Sequence, residues 1–123
     1  MAVAVHNIEI PKYNYKIIEI TVKESQKTTK LDSTDNICLT VRPASESSEI
    51  MLFKELNSGI TYNEQTGVYE VEINSEDTKD FEVGVEYGYD ITIYIGGTKP
   101  KQKLIGTFKV TPQYSRKGVE ENG

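Results

Sequence analysis

The stretch from Ser75 to Ile95, SEDTKDFEVGVEYGYDITIYI, holds the longest alternation in the chain. Val85, Tyr87, Tyr89, Ile91, Ile93 and Ile95 fall on one side, and Glu86, Gly88, Asp90, Thr92 and Tyr94 on the other. A period of two is that of a β-strand with one face buried, so the acids here read as the solvated side of a strand and not as an acidic active site. Just ahead of the strand, Phe81, Gly84 and Tyr87 follow one another at intervals of three. That spacing matches a structural tyrosine corner, in which the ring packs in the core and the hydroxyl bonds back to the loop before it.

The same period recurs outward in both directions. Ile18, Ile20 and Val22 alternate in YKIIEITVKE, and Ile37, Leu39 and Val41 in NICLTVR, with Cys38, Thr40 and Arg42 on the opposite side. EIMLFKEL supplies a short strand, and GITYNEQTGVYEVEI reads as a hairpin with its tip from Asn63 to Gly67 and with Tyr69, Val71 and Ile73 on one face. KLIGTFKV closes the series with Leu104, Phe108 and Val110. No stretch sustains a helical period, and one turn near NSEDTKDF is the only helical candidate. The expectation is an all-β chain of about seven strands, a two-layer antiparallel sandwich of the immunoglobulin or fibronectin kind, with a small closed barrel as the second choice.

Composition sets the outer bounds. A chain of 123 residues, 37% hydrophobic and 27% charged, holds one domain. A net charge of −5 disfavours nucleic acid and anionic membrane surfaces as partners. The segment MAVAVHNIEIPKYNYK lacks the basic start and apolar run of a secretory signal, and no apolar run is long enough to span a bilayer. Synthesis in a reducing cytoplasm is expected, which also suits a single Cys38 that cannot form an internal disulfide.

No catalytic or metal-binding constellation emerges. His6 stands alone near one end, so neither a Ser/His/Asp nor a Cys/His arrangement can be assembled. Cys38 has no activating neighbour in the sequence and reads as a packed thiol. Asp32 and Asp35 lack the spacing and the glycine of a calcium loop and read as turn formers; Glu76, Asp77 and Asp80 fall in a turn where Asp caps backbone donors. Catalytic residues, cofactors and metals are therefore expected to be none.

A resemblance covers roughly Tyr15 to Thr111. The order ITVKE, CLTVR, GVYEVEINSEDTKDFEVGVEYGYDITI and LIGTFKVT resembles the β-sandwich module of structural proteins of tailed phages and prophages, nearest to the N-terminal domain of upper baseplate proteins and related head-fibre or tail proteins. Its most specific parts are the Asp77-Thr78 step, the run from Tyr87 through Tyr89, Asp90 and Ile91, and the closing GTFKVT. The resemblance implies a virion component that acts by attachment to capsid, neck or baseplate subunits in a symmetric assembly. Relatives often continue into a coiled coil, a shaft or a receptor-binding domain; a chain ending at Gly123 points instead to a stand-alone part, such as a capsid decoration protein or a small part of the neck or baseplate.

The expected division is an N-terminal arm over residues 1–14, a sandwich over 15–111 and a C-terminal tail over 112–123. Val5, Ile8 and Ile10 of the arm, with Tyr114 and Arg116 of the tail, are the expected assembly contacts, the arm adding as a strand to a neighbour's sheet edge. The alternative function is carbohydrate or host-surface binding. Eight tyrosines and three phenylalanines, without tryptophan, leave Tyr13, Tyr62, Tyr94 and Tyr114 as surface aromatics, of which Tyr62 and Tyr94 are the expected sugar-stacking pair.

Overall fold

Alternation of buried and exposed side chains carries almost directly into structure. The computed structural model describes residues 2–4, 7–43 and 49–112. Among them are ten strands: β1 (Ala2–Ala4), β2 (Ile8–Pro11), β3 (Lys16–Glu24), β4 (Lys27–Thr28), β5 (Asn36–Arg42), β6 (Leu52–Leu56), β7 (Gly59–Asn63), β8 (Val68–Ile73), β9 (Glu86–Ile95) and β10 (Lys99–Thr111). The chain is all-β, and the expected helical turn is a single 3-10 turn at Ser75–Thr78.

The strands form one mixed sheet in the order β1-β3-β8-β7-β6-β5-β9-β10-β2, with β4 paired to β3 alone. Two pairings are parallel, β6 with β7 and β10 with β2; the others are antiparallel. Ile18, Ile20 and Val22 of β3 lie in the same buried cluster as Ile37 and Leu39 of β5 and Ile91 and Ile93 of β9. Strands four and five places apart in the order can share a core only if the sheet curls on itself, and β1 accordingly comes back beside β10. Burying one side of every strand is the main stabilising term, about 1.5–3 kcal/mol for each large aliphatic or aromatic side chain fully covered.

Seven of the ten strands, β3 and β5 to β10, are those that alternation announces. The other three correct the expected count. β4 is a two-residue strand, too short to show any period. β1 and β2 come from the segment expected to be a free arm. β2 lies against β10 in parallel register from Ile8 opposite Phe108 to Pro11 opposite Thr111. Ile8 and Ile10 are thereby 5% and 0% exposed, in the chain's own core. The expected boundary between residues 14 and 15 thus cuts a core strand away from its sheet, and these two isoleucines are not spare surface for a neighbour. The physical reason is proximity: β10 has an open edge, and a strand joined to β3 by a few residues reaches it at little entropic cost.

Candidate interaction surface

The tyrosine corner spacing places three side chains around one hydrogen bond. The Glu82 N–H donates to the Tyr87 hydroxyl at 2.8 Å, and the Tyr87 ring meets Phe81 edge-on with centroids 4.7 Å apart. Phe81 in turn lies 5.1 Å from Phe108 of β10. Gly84 holds φ at +84°, a conformation that costs a residue with a Cβ, and its N–H donates to Val110 O at 2.9 Å. The loop before β9 is fixed to β10 from two sides.

The turn ahead of that loop is held by Asp77. Its Oδ2 accepts the Asn74 N–H at 2.7 Å and pairs with Lys54 Nζ of β6 at 2.9 Å. Behind it the buried Thr78 accepts the Tyr13 N–H on Oγ1 at 2.9 Å, which fixes the connection from β2 into β3. Asp77 thus serves both the backbone of its own turn and a lysine of β6.

Residues paired directly across an antiparallel ladder project to the same face, so the registers give the outer surface row by row. Across β10, β9, β5 and β6 one row reads Ile105, Asp90, Thr40, Phe53, and the next reads Lys103, Thr92, Cys38, Glu55. Ile105 is 73% exposed and Phe53 47%, a large apolar group at each end of the first row. Between them the wall is low: Thr92 is buried with its hydroxyl donating to Asp90 Oδ1 at 3.0 Å, and Cys38 is buried beside it. Burial first, then the charges of Glu55 and Asp90, push the Cys38 thiol up to about 11, so at neutral pH it is a protonated, inert group. Asn36 closes the wall's end, donating from Nδ2 to Glu55 at 3.0 Å and accepting the Leu56 N–H on Oδ1 at 3.2 Å.

The opposite wall, over β3 and β8, carries three acids around a partly exposed Ile17. Glu19 stands directly across from Glu70, and Ile17 across from Glu72. The Tyr15 hydroxyl donates to Glu72 at 2.7 Å, and that hydrogen bond, followed by burial and by the charges of Glu72 and Glu70, raises its pKa.

A shallow cleft of about 390 Å³ opens at one end, where Tyr62 and Tyr69 pack 4.9 Å apart beside Lys30, Asp32 and Ser33. The Leu31 N–H donates to the Tyr69 hydroxyl at 2.6 Å, which ties this loop to the core. Lys30 reaches both the Tyr62 ring and Glu64. Alternation puts Tyr69 in the core but carries no signal for its role as an anchor of a loop 38 residues away.

The expected sugar-stacking pair does not assemble. Tyr62 lies on the core side of β7 with Ile60, whereas Tyr94 lies on the outer side of β9 with Thr92 and Asp90. Two rings on opposite faces of a sheet cannot stack on one ligand. Of the expected assembly contacts, Ile8 and Ile10 are core residues, and Val5, Tyr114 and Arg116 lie outside the described residues, as does His6. Among the described residues no group of acids, histidine or cysteine is arranged to hold a metal ion. Among them, too, no helix is long and apolar enough to cross a membrane.

Comparison with known proteins gives a likeness of fold alone. No family model and no curated protein matches the chain. Among solved structures it is similar to MtrC from Shewanella baltica OS185, with a TM-score of 0.50 and 14% identity over 94% of this chain. The match covers 24% of that structure, so this chain spans about a quarter of its length.

Proposed function

We propose that the chain is an attachment module, an immunoglobulin-like two-layer sandwich that works by protein–protein contact as a structural part of a tailed-phage or prophage virion. The observation that carries the attachment reading is the wall of β10, β9, β5 and β6. It presents Ile105 and Phe53 to solvent on a rigid ladder, around a low centre of Thr92 and Cys38. Exposed apolar groups of that size, set among both signs of charge, have the make-up of a contact surface.

Support for the two-layer description comes from the seam between β6 and β7, where only Glu55 with Gly59 and Leu56 with Ile60 are paired. Either side of that seam the sheet divides into β1-β3-β8-β7 and β6-β5-β9-β10-β2, and the tyrosine corner geometry at Tyr87 suits a sandwich of this kind. The virion setting, with capsid, neck or baseplate proteins as partners and the host cytoplasm as the place of synthesis, rests on the likeness of the quoted segments to phage modules. No reaction, cofactor, nucleic acid or membrane belongs to this reading. Carbohydrate binding stays as the second reading because Tyr62 lines a cleft together with Lys30, Asp32 and Glu64, without help from Tyr94.

The test is particle content. Particles purified on a density gradient from an induced lysogen that carries this gene should contain the chain in stoichiometric amount. Ile105→Glu should leave the melting temperature nearly unchanged, as for other exposed sites, and deplete the chain from the particles at least tenfold. Particles without the wild-type chain would remove the virion reading.

A further inference from the structure

The attachment wall is built symmetrically about its own midline, which runs between β5 and β9. In one row Ile105 on β10 and Phe53 on β6 stand at equal distances on either side; in the next row Lys103 and Glu55 do the same. A half-turn about an axis in the plane of contact, parallel to the strands and over that midline, exchanges left and right while keeping every residue in its row. A second copy brought on by this rotation sets Phe53 opposite Ile105 and Glu55 opposite Lys103, and each meeting occurs at both ends. At the centre Asp90 faces the copy's Thr40, whose hydroxyl can donate to it, and Thr92 faces the copy's Cys38. These central groups are small, so the two backbones can approach while the larger side chains fill the flanks.

We infer that this wall is a two-fold interface and that its partner is a second copy of the same chain. The assignment rests on the reading of the wall as an attachment surface and names its first partner. Charge decides between this face and the other one. The same rotation applied to the β3 and β8 wall would set Glu19 against the copy's Glu70 at both places, whereas the β10 to β6 wall offers a cation on one flank and an acid on the other in the same row. Facing sheets keep their strands within about 30° of one another, which long pairs such as Lys103 with Glu55 can follow. Four strands at ~4.8 Å spacing and a length of ~25 Å give roughly 1,000 Å² over both partners, at the lower limit for a specific interface. The dimer is therefore weak and reversible.

Sedimentation of the full chain over a concentration series should show a monomer moving to a dimer as concentration rises to several hundred micromolar. Lys103→Glu and Glu55→Lys should each weaken the dimer at least tenfold, because each sets like charges together at both ends. Mixing the two variants should restore association, since the mixed pair meets with opposite charges at both ends; thermal melts establish that each variant is folded. Ile105→Asp, at an exposed position, supplies an independent break. A wild-type chain that stays monomeric throughout, a dimer indifferent to Ile105→Asp, or folded charge variants that fail to associate on mixing would each overturn the inference. Sedimentation of the isolated chain answers this question and particle content answers the earlier one, so either can fail without the other.

Discussion

The two outer walls of the sheet obey the same alternation and come out chemically different. Over β3 and β8 the outward positions carry Glu19, Glu70 and Glu72 beside a partly exposed Ile17, with Tyr15 bonded to Glu72. Over β10, β9, β5 and β6 they carry Ile105, Phe53, Lys103 and Glu55 around a buried pair of small residues, Cys38 and Thr92. Period two determines which half of each strand is covered by the core and is silent about what the uncovered half is for. An acidic wall keeps a surface solvated and repels copies of itself. An apolar and mixed-charge wall invites contact.

The contrast depends first on the packing behind the β10 to β6 wall. Gly106 of β10 stands directly across from Tyr89, and a Cβ built there would come within 2.6 Å of the Tyr89 ring. That ring is buried and has no solvent to move into. Gly106→Ala should therefore cost about 2–3 kcal/mol by overpacking, seen as a lower midpoint in urea with an unchanged slope. Ile105→Ala, one residue away and on the outside, should stay within about 0.5 kcal/mol when the chain is measured dilute. Equal effects at the two positions would mean that Ile105 belongs to the core and that the wall is not a free face.

Much of this contrast is legible in the amino-acid sequence, and the part that is not has a physical cause. Alternation in NICLTVR and in the strand after Tyr87 places Ile37, Leu39, Ile91 and Ile93 correctly inside. It also places Cys38 and Thr92 outside in direction, as they are, but cannot show that taller neighbours bury them. The alternation of Ile8 and Ile10 announces a strand; which edge receives it is a matter of chain path, and the nearest open edge is the chain's own β10. Tyr62 and Tyr94 can be compared only through the registers of β7 and β9, because the side on which a ring projects is relative to its ladder.

A smaller effect probes the centre of the β10 to β6 wall. The Cys38 thiol is held protonated up to about 11 in the folded chain, against 9.0 for the free group. Between those values the unfolded chain releases the proton and the folded one retains it, so the folded state binds more protons and stability falls as pH rises. The contribution is fully present below about pH 9 and lost as pH passes through about 11. Lysines and tyrosines titrate over the same range, so the quantity to measure is the difference from Cys38→Ala. The variant's stability should fall less steeply from pH 8.5 to 10.5, by on the order of 1 kcal/mol over the interval. Parallel curves would show that the low centre of the wall is open to water.

The smallest effect belongs to the acidic wall, and its sign is the informative part. Glu19 and Glu70 are directly opposed across β3 and β8, where like charges repel. Glu70 also accepts a hydrogen bond from Asn63 Nδ2 at 3.1 Å, so its carboxylate is held in place on the wall. Glu19→Lys replaces a repulsive pair with an attractive one at an exposed site. It should stabilise the chain by about 0.5 kcal/mol in low salt, and the gain should shrink as added salt screens both pairs. Because the substitution leaves the β10 to β6 wall untouched, the monomer–dimer balance should not move. A gain in stability with no change in association would separate the two walls by function as well as by composition. A loss of association would show instead that the acidic wall takes part in contact, and that the chemical difference between the walls is not a division of labour.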